Sequence, residues 1–319
     1  MKFIKSLFLA LLCCSVVLTS MVACDIAGNG TETPELSEEV PTLNEETPEN
    51  TDPEPPADLT GTTPDETPAE PVPDYVTIEL KGTSYSVSKS GVVTASGNVL
   101  SIVAPGTYRI FGTLDNAQIR VSVDKTEKVS LIFAGVTISN STSAPIYIDC
   151  ADKVSIELEK DTQNVLSDAK TYIFPEGTDK PNACIYSSED LTIKGEGSLT
   201  INAYYNNGIG SKNDIKIKGG NITITAANNA IKGNQSVTIE GGNITLKGAD
   251  GIKADSIVEG EGYIDILGGT VNITAGDDGI QAVTYINIAE GALVTINAAD
   301  KDVNCDGTTS IAPGTLISK

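Results

Sequence analysis

The sequence predicts an all-β protein, and three observations lead to this prediction. Three sets of apolar residues each recur every 21 to 24 residues, apart from one step of 27 or 28. Successive sets are seven or eight residues apart, and stretches such as residues 221–225 alternate apolar and polar side chains, as strands with one buried face do. A unit this short cannot bury its own apolar face, so stacked copies must share a core. The expected fold is a right-handed, three-sided parallel β-helix of about seven or eight coils.

The three apolar sets fix where the strands of each coil are expected. They are Ile193, Ile217, Ile239, Ile266 and Ile288; Ile201, Ile224, Leu246, Ile273 and Ile296; and Ile209, Ile231, Ile252, Ile280 and Val303. An extra loop at Ser256 to Gly262 explains the long step, because it lengthens all three sets together. Gly-Gly pairs at 219–220, 241–242 and 268–269 mark turns where a helix would have to continue.

Residues 1–24 resemble a bacterial lipoprotein signal peptide. Lys2 and Lys5 precede a short apolar run, and Met21-Val22-Ala23-Cys24 resembles a lipobox in which Cys24 would be lipidated. An ordinary cleaved signal and an uncleaved anchor are the alternatives, although the apolar run is shorter than the ~20 residues of a spanning helix. All three interpretations predict an extracytoplasmic protein, and a lipid at Cys24 predicts a membrane lipoprotein exposed at the cell surface.

Residues 25–74 are expected to form a linker without a core. Between Thr31 and Asp74 there are fourteen acidic residues, no Lys or Arg, and ten of the fifteen prolines of the chain. A segment with so little apolar surface and such self-repulsion is predicted to be an extended, disordered spacer. The folded domain is therefore expected over residues 75–319.

The folded domain is expected to begin with a cap. Tyr75 to Ser101 alternates apolar and polar residues and is placed to cover the first coil. Weaker copies of the repeat follow between Tyr108 and Leu158. Leu166 to Ala183 interrupts the pattern, and such an insertion often emerges on the binding face of a solenoid. Its Tyr172 and Phe174 are candidates for stacking on a sugar ring, with packing onto the coils as the alternative.

Composition excludes several classes of function. The chain has no His, which removes serine- or cysteine-type triads and imidazole bases. The folded part carries less negative charge than the linker but is still acidic, which argues against a nucleic-acid partner and is compatible with cations. Cys150, Cys184 and Cys305 are widely spaced and predict buried small residues, with a Cys150–Cys184 bridge between neighbouring coils as the alternative.

Asn and Asp residues precede each strand of the third set. They are Asn206-Asn207, Asn228-Asn229, Asp250, Asp277-Asp278 and Asp300 to Asp302. Equivalent turns of neighbouring coils lie about 4.8 Å apart, so these residues should stack in a column. Turn formation alone explains the Asn residues, whereas stacked carboxylates repel by about 3 kcal/mol at an effective dielectric of about 20. The hypothesis is a calcium column using Asp250, Asp277 and Asp278, with Asp255, Asp302 and Asp306 as neighbours.

Lys232 and Lys253 each follow a third-set Ile and should point the same way from adjacent coils. Beside calcium they would suit the carboxylate of a uronate sugar. The alternative is that they only offset the Asp charges.

Several of these stretches together resemble a known family. They are residues 182–187, Asp190 to Ile193, Tyr205 to Ile209, Lys232-Gly233, Ala249 to Lys253 and Gly276 to Ile280. They look like a family of bacterial extracellular carbohydrate-binding β-helix proteins, similar in fold to pectate lyases. The resemblance implies bound calcium and binding of cellulose and acidic polysaccharides such as polygalacturonate.

Three functions follow from these observations. The first is a monomeric, surface-anchored, non-catalytic polysaccharide-binding protein, in which Tyr172, Phe174, Tyr204 or Tyr205 stack on sugar rings and Lys232 and Lys253 meet acidic groups. The second is a calcium-dependent polysaccharide lyase with Lys253 or Lys232 as the base. The third is a structural or adhesive scaffold whose repeats only provide length.

Overall fold

A computed structural model describes residues 74–174, 177–178 and 180–319. They belong to one compact unit, Pro68–Lys319. The predicted signal peptide at residues 1–24, the lipidation at Cys24 and the linker up to residue 73 lie outside the described residues. The described residues contain no helix, and none of them forms a helical span of the length and hydrophobicity needed to cross a membrane.

The described residues form 28 strands. In chain order they are β1 (Val76–Gly82), β2 (Ser84–Val87), β3 (Val93–Ser96), β4 (Val99–Ile102), β5 (Gly106–Leu114), β6 (Gln118–Ser122), β7 (Lys128–Ser139), β8 (Ile146–Cys150), β9 (Lys153–Leu158), β10 (Gln163–Ser167), β11 (Ala183–Ser187), β12 (Asp190–Gly195), β13 (Ser198–Ala203), β14 (Asn207–Ser211), β15 (Asp214–Ile217), β16 (Asn221–Ala226), β17 (Ile231–Gly233), β18 (Ser236–Ile239), β19 (Asn243–Gly248), β20 (Ile252–Ala254), β21 (Tyr263–Ile266), β22 (Gly269–Ala275), β23 (Ile280–Ala282), β24 (Tyr285–Ile288), β25 (Ala292–Ala298), β26 (Val303–Cys305), β27 (Thr308–Ile311) and β28 (Leu316–Ser318).

The strands stack into a three-sided parallel solenoid, as the repeat predicts. One ladder runs through β9, β12, β15, β18, β21, β24 and β27, and a second through β10, β13, β16, β19, β22, β25 and β28. The long strand β7 pairs with both β9 and β10, so these two sides join into one 18-stranded sheet. The third side is a separate ten-stranded sheet, which we call the third-side sheet.

The number of coils was predicted too low. In the third-side sheet nine described strands are parallel neighbours, from β4 through β6, β8, β11, β14, β17, β20 and β23 to β26, which gives about nine turns rather than seven or eight. The difference arises at the N-terminus. The segment expected to be only a cap also contributes a coil, because β1 pairs in parallel with β5 and β4 pairs in parallel with β6.

The cap itself consists of two hairpins. Strand β2 folds back antiparallel onto β1, and β3 folds back antiparallel onto β4. Each hairpin therefore covers the first parallel edge of one sheet, which prevents that edge from pairing with other chains.

The core follows the apolar sets closely. The Ile residues of all three sets are at most 3% exposed, and Leu246 is 1% exposed. The turn before the third-side sheet needs glycine, because a Cβ on Gly251 would lie 2.4 Å from the Gly279 carbonyl oxygen of the next coil. The extra loop, residues 256–262, lies between β20 and β21 as the long step predicts.

The Cys150–Cys184 bridge does not form. Ile185 pairs with Ile146, so Cys184 lies level with residue 145 of the previous coil, whereas Cys150 is five residues further along its strand. That offset corresponds to roughly 16 Å, well beyond the span of a disulfide. Cys150, Cys184 and Cys305 are free; Cys184 is fully buried, as predicted, whereas Cys150 and Cys305 are only partly buried.

Candidate functional site

The outward surface of the third-side sheet carries one continuous column of side chains. Residues that alternate with the buried Ile of each strand face away from the core. In pairing order the column is Ser101, Arg120, Tyr147, Tyr186, Gly210, Lys232, Lys253, Gln281 and Asn304. It combines aromatic rings, a glycine gap and cationic side chains, which are the groups that recognise sugar rings and their carboxylates.

Gly210 makes a notch in this column, which we call the Gly210 notch. The cavity there measures about 240 Å³ and is lined by Lys180, Asn182, Tyr186, Asn207, Gly210, Ser211, Lys212, Lys232 and Asn234. A Cβ on residue 210 would lie 3.0 Å from the Ala183 Cβ and 3.7 Å from the Tyr186 ring. Glycine therefore leaves the gap open between an aromatic ring and three lysines.

A larger cavity continues the surface toward the N-terminal coils. It measures about 610 Å³, shares Lys180 with the Gly210 notch and lies over Tyr147. Ile173, Thr178 and Pro181 of the insertion between β10 and β11 form part of its lining. The insertion thus borders this surface, as the sequence predicts for a solenoid insertion.

A hydrogen-bonded network fixes the floor of the larger cavity. The Tyr147 hydroxyl donates to the Asp149 carboxylate at 2.8 Å, and Arg120 forms an ion pair with the same carboxylate. The Arg120 guanidinium lies 5.4 Å from the Tyr147 ring centroid. Burial, followed by the hydrogen bond to Asp149, raises the pKa of Tyr147 to about 12. Tyr147 is therefore a neutral, fixed ring, and Asp149 neutralises the positive charge at this end.

The two predicted lysines lie on adjacent strands in one column, as expected, but each is engaged by a carboxylate. Lys232 Nζ lies 2.6 Å from Asp255 Oδ2, and Lys253 Nζ lies 3.0 Å from Asp250 Oδ2. Lys232 lines the Gly210 notch, whereas Lys253 lines neither the notch nor the larger cavity. Only Lys232 is thus placed to meet a ligand in the notch.

The predicted aromatic platform is largely a packing cluster. The rings of Tyr172 and Tyr205 stack with centroids 4.2 Å apart, and Phe174 packs against both at 6.0 Å. Tyr172 is only 6% exposed, so the prediction that a sugar stacks on it is wrong. Packing onto the coils is what the structure shows for this ring, and Phe174 and Tyr205 are partly covered by the same cluster. Of the four predicted aromatic residues, Tyr204 alone is well exposed, at 54%, and it lines neither the Gly210 notch nor the larger cavity.

Asp168 holds this cluster in place. Its carboxylate accepts hydrogen bonds from the Tyr172 hydroxyl at 2.7 Å and from the Tyr204 backbone amide at 2.5 Å, while only 6% of the residue is exposed. No described Lys or Arg forms an ion pair with it. Burial raises the pKa of Asp168 to about 6, against the opposing effect of these hydrogen bonds.

The Asx turns form two parallel columns rather than one. Backbone hydrogen bonds place Asn206, Asn228, Ala249, Asp277 and Asp300 in an outer column. An inner column, which is buried from Asn207 to Asp278, contains Asn207, Asn229, Asp250, Asp278 and Lys301. Three backbone amides of the inner column donate to a side-chain oxygen of the preceding coil, at 3.2 to 3.3 Å. The pairs are Asn229 to Asn207, Asp278 to Asp250 and Lys301 to Asp278.

Of the six predicted calcium ligands, Asp250 lies in the inner column as expected, whereas Asp255, Asp302 and Asp306 lie outside it. Asp250 binds Lys253, and Asp255 binds Lys232. Asp302 lies one residue past the inner column, where its carbonyl accepts the Ile280 amide. Asp306 aligns with Val283, because its amide and that of Val283 donate to equivalent positions of successive coils. A single sequence could not resolve the one-residue shift of Asp302, because Asp300 and Asp302 both occur in that turn.

The other two predicted ligands, Asp277 and Asp278, lie close to Asp300, which was not among the predicted ligands. One carboxylate oxygen each of Asp277, Asp278 and Asp300 lies within 4.8 Å of the other two. Asp277 and Asp300 are exposed, whereas Asp278 is 3% exposed. Asp278 Oδ2 accepts a hydrogen bond from Asn304 at 2.6 Å, and its Oδ1 accepts one from the Lys301 amide at 3.3 Å. These bonds orient a carboxylate that still has lone pairs for a cation.

Sequence reasoning also missed Tyr147, Tyr186, Lys180 and Lys212. The first two occupy the same strand position as Lys232, one residue after a buried Ile of the third-side sheet. The sequence signal for Tyr147 and Tyr186 is this position after a buried Ile, which is harder to recognise in the weaker N-terminal repeats. Lys180 comes from the insertion and Lys212 from the turn after β14, where no periodicity places a side chain.

Comparisons with known proteins agree with this fold. A family model described as "Carbohydrate-binding domain-containing protein" matches residues 96–317. A relative from Acetivibrio thermocellus with the same description is 49% identical over 227 residues, which cover 70% of this chain and 79% of the relative. A solved structure described as the polysaccharide lyase-like protein from C. thermocellum, gadolinium derivative, is 46% identical with a TM-score of 0.75. It covers 77% of this chain and 99% of the neighbour. The resemblance drawn from the sequence is therefore confirmed, and this chain belongs to the carbohydrate-binding domain-containing protein family.

Proposed function

We propose that this protein is a non-catalytic polysaccharide-binding protein that holds acidic polysaccharide chains along the outward surface of the third-side sheet. Family membership supports polysaccharide binding in general. The observation that carries the finer proposal is the Gly210 notch, in which Lys180, Lys212 and Lys232 surround a gap beside the Tyr186 ring. Cellulose is the second polymer to test, on the strength of the family resemblance.

The notch suits a sugar that carries a carboxylate. The Tyr186 ring is 2% exposed and has the Lys180 amine 5.9 Å from its centroid, so it forms a wall of the notch rather than a stacking face. A carboxylate in the notch gains charge-assisted hydrogen bonds from lysine. The Lys212 side chain is exposed and forms no described ion pair, so it can turn toward a bound anion. The Lys232 amine is held at the notch by Asp255, which fixes its position before a ligand arrives.

Catalysis by a lysine base is the weaker alternative. Proton abstraction next to a uronate carboxylate requires an unprotonated amine. Lys232 and Lys253 each hold a carboxylate of the protein in an ion pair, so neither amine is directed at a substrate proton. This geometry supports binding rather than elimination.

We also propose calcium as the cofactor, at Asp277, Asp278 and Asp300. Calcium takes six to eight oxygen ligands at roughly 2.3 to 2.6 Å, and three converging carboxylates from adjacent coils supply a fitting donor set. A bound calcium ion would neutralise these charges and link neighbouring coils. Asp277 and Asp278 were predicted as ligands, and Asp300 is added to them.

Display at the cell surface remains part of the proposal. The lipobox-like motif ending at Cys24 supports a lipid anchor, and the acidic Pro-rich stretch that follows supports a spacer that holds the domain away from the membrane. The acidic charge of the chain favours a partner other than nucleic acid. We expect a monomer.

The test compares two charge reversals on immobilised polygalacturonate, cellulose and a neutral control polymer. Lys212→Glu changes an exposed lysine at the notch, and Lys247→Glu makes the same change at an exposed position of β19, outside the notch and the larger cavity. We expect Lys212→Glu to weaken polygalacturonate binding by about tenfold, and Lys247→Glu to change it by less than about twofold. Equal losses would indicate general electrostatics. Equal binding to all three polymers, or none, would reject the proposal in favour of a scaffold.

A further inference from the structure

We propose that the cavity between the two cap hairpins is a subsite for an uncharged sugar residue, at the opposite end of the surface from the lysine-lined notch. This inference rests on the proposed function, because it assumes that a polysaccharide follows the third-side sheet. It adds that the two ends of that surface select different sugars.

The cap cavity is formed by the hairpin turns that close the N-terminal coil. Its volume is about 530 Å³, which is in the range of small-molecule sites. Tyr85 of β2, Ala95 of β3 and Leu100 of β4 contribute to its lining, and the buried Leu114 closes it toward the core. Asn98 is held by a hydrogen bond from its Nδ2 to the Asn116 carbonyl at 3.0 Å. The site therefore has an apolar lining with amide groups fixed at one side.

The cap cavity continues into the proposed binding surface. Asn98 and Val99 line both the cap cavity and the larger cavity over Tyr147. Lys180 in turn lines both that cavity and the Gly210 notch. From β4 to β14 there are four steps between neighbouring strands, so the cap cavity and the notch are separated by about 19 Å along the solenoid. One extended chain can therefore reach both.

Charge distinguishes the two ends. Among the described residues that line the cap cavity, Asp115 is the one charged residue and none is Lys or Arg. A uronate carboxylate there would meet a negative charge without a compensating cation, which disfavours it. An uncharged pyranose instead packs its C–H face on Tyr85, which is partly exposed, and offers hydroxyl groups to Asn98, Asn116 and Asp115. The cavity thus fits a neutral sugar, whereas the Gly210 notch fits an acidic one.

The experiment fills the cap cavity and measures both sugar classes. Ala95→Trp places a large ring on a residue that lines the cavity and is exposed. Thr245→Trp is the control, because Thr245 is exposed on β19 and lines none of the cap cavity, the larger cavity and the Gly210 notch. Cello-oligosaccharide and oligogalacturonate are titrated calorimetrically into the full-length wild type, both variants and Lys212→Glu, after thermal unfolding has confirmed that each is folded.

We expect Ala95→Trp to weaken cello-oligosaccharide binding by at least about tenfold and to leave oligogalacturonate binding within about twofold, with the reverse pattern for Lys212→Glu. Thr245→Trp should change neither. The inference is overturned if Ala95→Trp and Thr245→Trp have the same effect, or if the wild type binds no cello-oligosaccharide. Oligogalacturonate binding that depends on Lys212 would then still support the proposed function. The opposite result, neutral binding blocked by Ala95→Trp without acidic binding, would reject the acidic specificity and retain the cap subsite.

Discussion

Replacing Asp168 by Asn tests whether a buried carboxylate sets the pH dependence of stability. Asp168 is 6% exposed, accepts hydrogen bonds from Tyr172 and from the Tyr204 amide, and has a pKa raised from 3.8 to about 6 by burial. Because the folded-state pKa lies above the unfolded-state value, folding favours the protonated form. The free energy of unfolding therefore falls as pH rises from about 4 to about 6, and a shift of this size corresponds to roughly 3 kcal/mol.

The Asp168→Asn variant keeps the shape of the carboxyl group without its charge. Its amide oxygen can accept the Tyr204 amide, and its NH₂ group can donate to the Tyr172 oxygen while that hydroxyl turns toward the Ala183 carbonyl at 3.3 Å. We expect the variant to match the wild type at pH 3.5 and to be more stable by up to about 3 kcal/mol at pH 8. The measurement is urea denaturation of both proteins across this range, plotted as the difference between them.

The control for net charge is Asp161→Asn, which removes a carboxylate from an exposed turn position with φ of 60°, where Asn is well tolerated. Its difference from the wild type should stay within about 0.5 kcal/mol at every pH. A difference curve for Asp168→Asn that is flat with pH would refute the reasoning. A variant less stable than the wild type at pH 8 would show that the charged carboxylate is favoured by its hydrogen bonds.

Three further outcomes are expected. Gly251→Ala should lower the free energy of unfolding by about 2 to 3 kcal/mol, because its Cβ would lie 2.4 Å from both the Gly279 carbonyl oxygen and the Ile273 side chain. Gly276→Ala, whose nearest backbone neighbour lies 3.8 Å away, should cost less than about 1 kcal/mol, and equal losses in chemical denaturation would contradict this packing argument. Calcium should raise the melting temperature of the wild type, and Asp300→Asn, which alters an exposed member of the carboxylate cluster, should reduce that increase in calorimetry. Asp306→Asn serves as the control, and an identical calcium response in both variants would contradict the assigned ligands. Lys232→Ala should lower the melting temperature more than Lys247→Ala, because it removes the ion-pair partner of Asp255. The Oδ1 atom of that carboxylate is already buried without a hydrogen-bond partner. Equal melting temperatures of the two variants would contradict this reasoning.

The sequence allowed the coils to be placed but not the contacts between their outward side chains. Strand positions follow from a period that the core enforces on every coil, and Ile217, Ile239 and Ile266 stack as that period predicts. The pairing of Lys232 with Asp255 depends on rotamers and on the path of the turn, to which apolar periodicity is insensitive. The burial of Tyr172 has the same origin, because the insertion that carries it has no repeat to set its direction. The contacts that decide which side chains can meet a ligand are therefore the ones that the apolar repeat does not predict.

The structure narrows the calcium hypothesis to one end of the column. The argument for calcium was that stacked carboxylates repel, yet most of the inner column satisfies each side chain with a donor of its own. Asn229 donates to Asn207 at 2.8 Å, Lys253 donates to Asp250 at 3.0 Å, and Asn304 donates to Asp278 at 2.6 Å. Repulsion is thus relieved within the protein along these coils, and a cation is not required between Asp250 and Asp278.

The outer column differs at its last two coils. Asn228 donates to Asn206 at 2.9 Å, and Ala249 carries no charge, but Asp277 and Asp300 follow in succession with Asp278 beside them. None of the described lysines or arginines forms an ion pair with these three carboxylates. At a spacing near 5 Å each pair would repel by about 3 kcal/mol at an effective dielectric of about 20, and less where water screens the exposed members. The electrostatic repulsion that the repeat pattern suggested for the whole column is therefore confined to Asp277, Asp278 and Asp300. A divalent cation bound there would remove it.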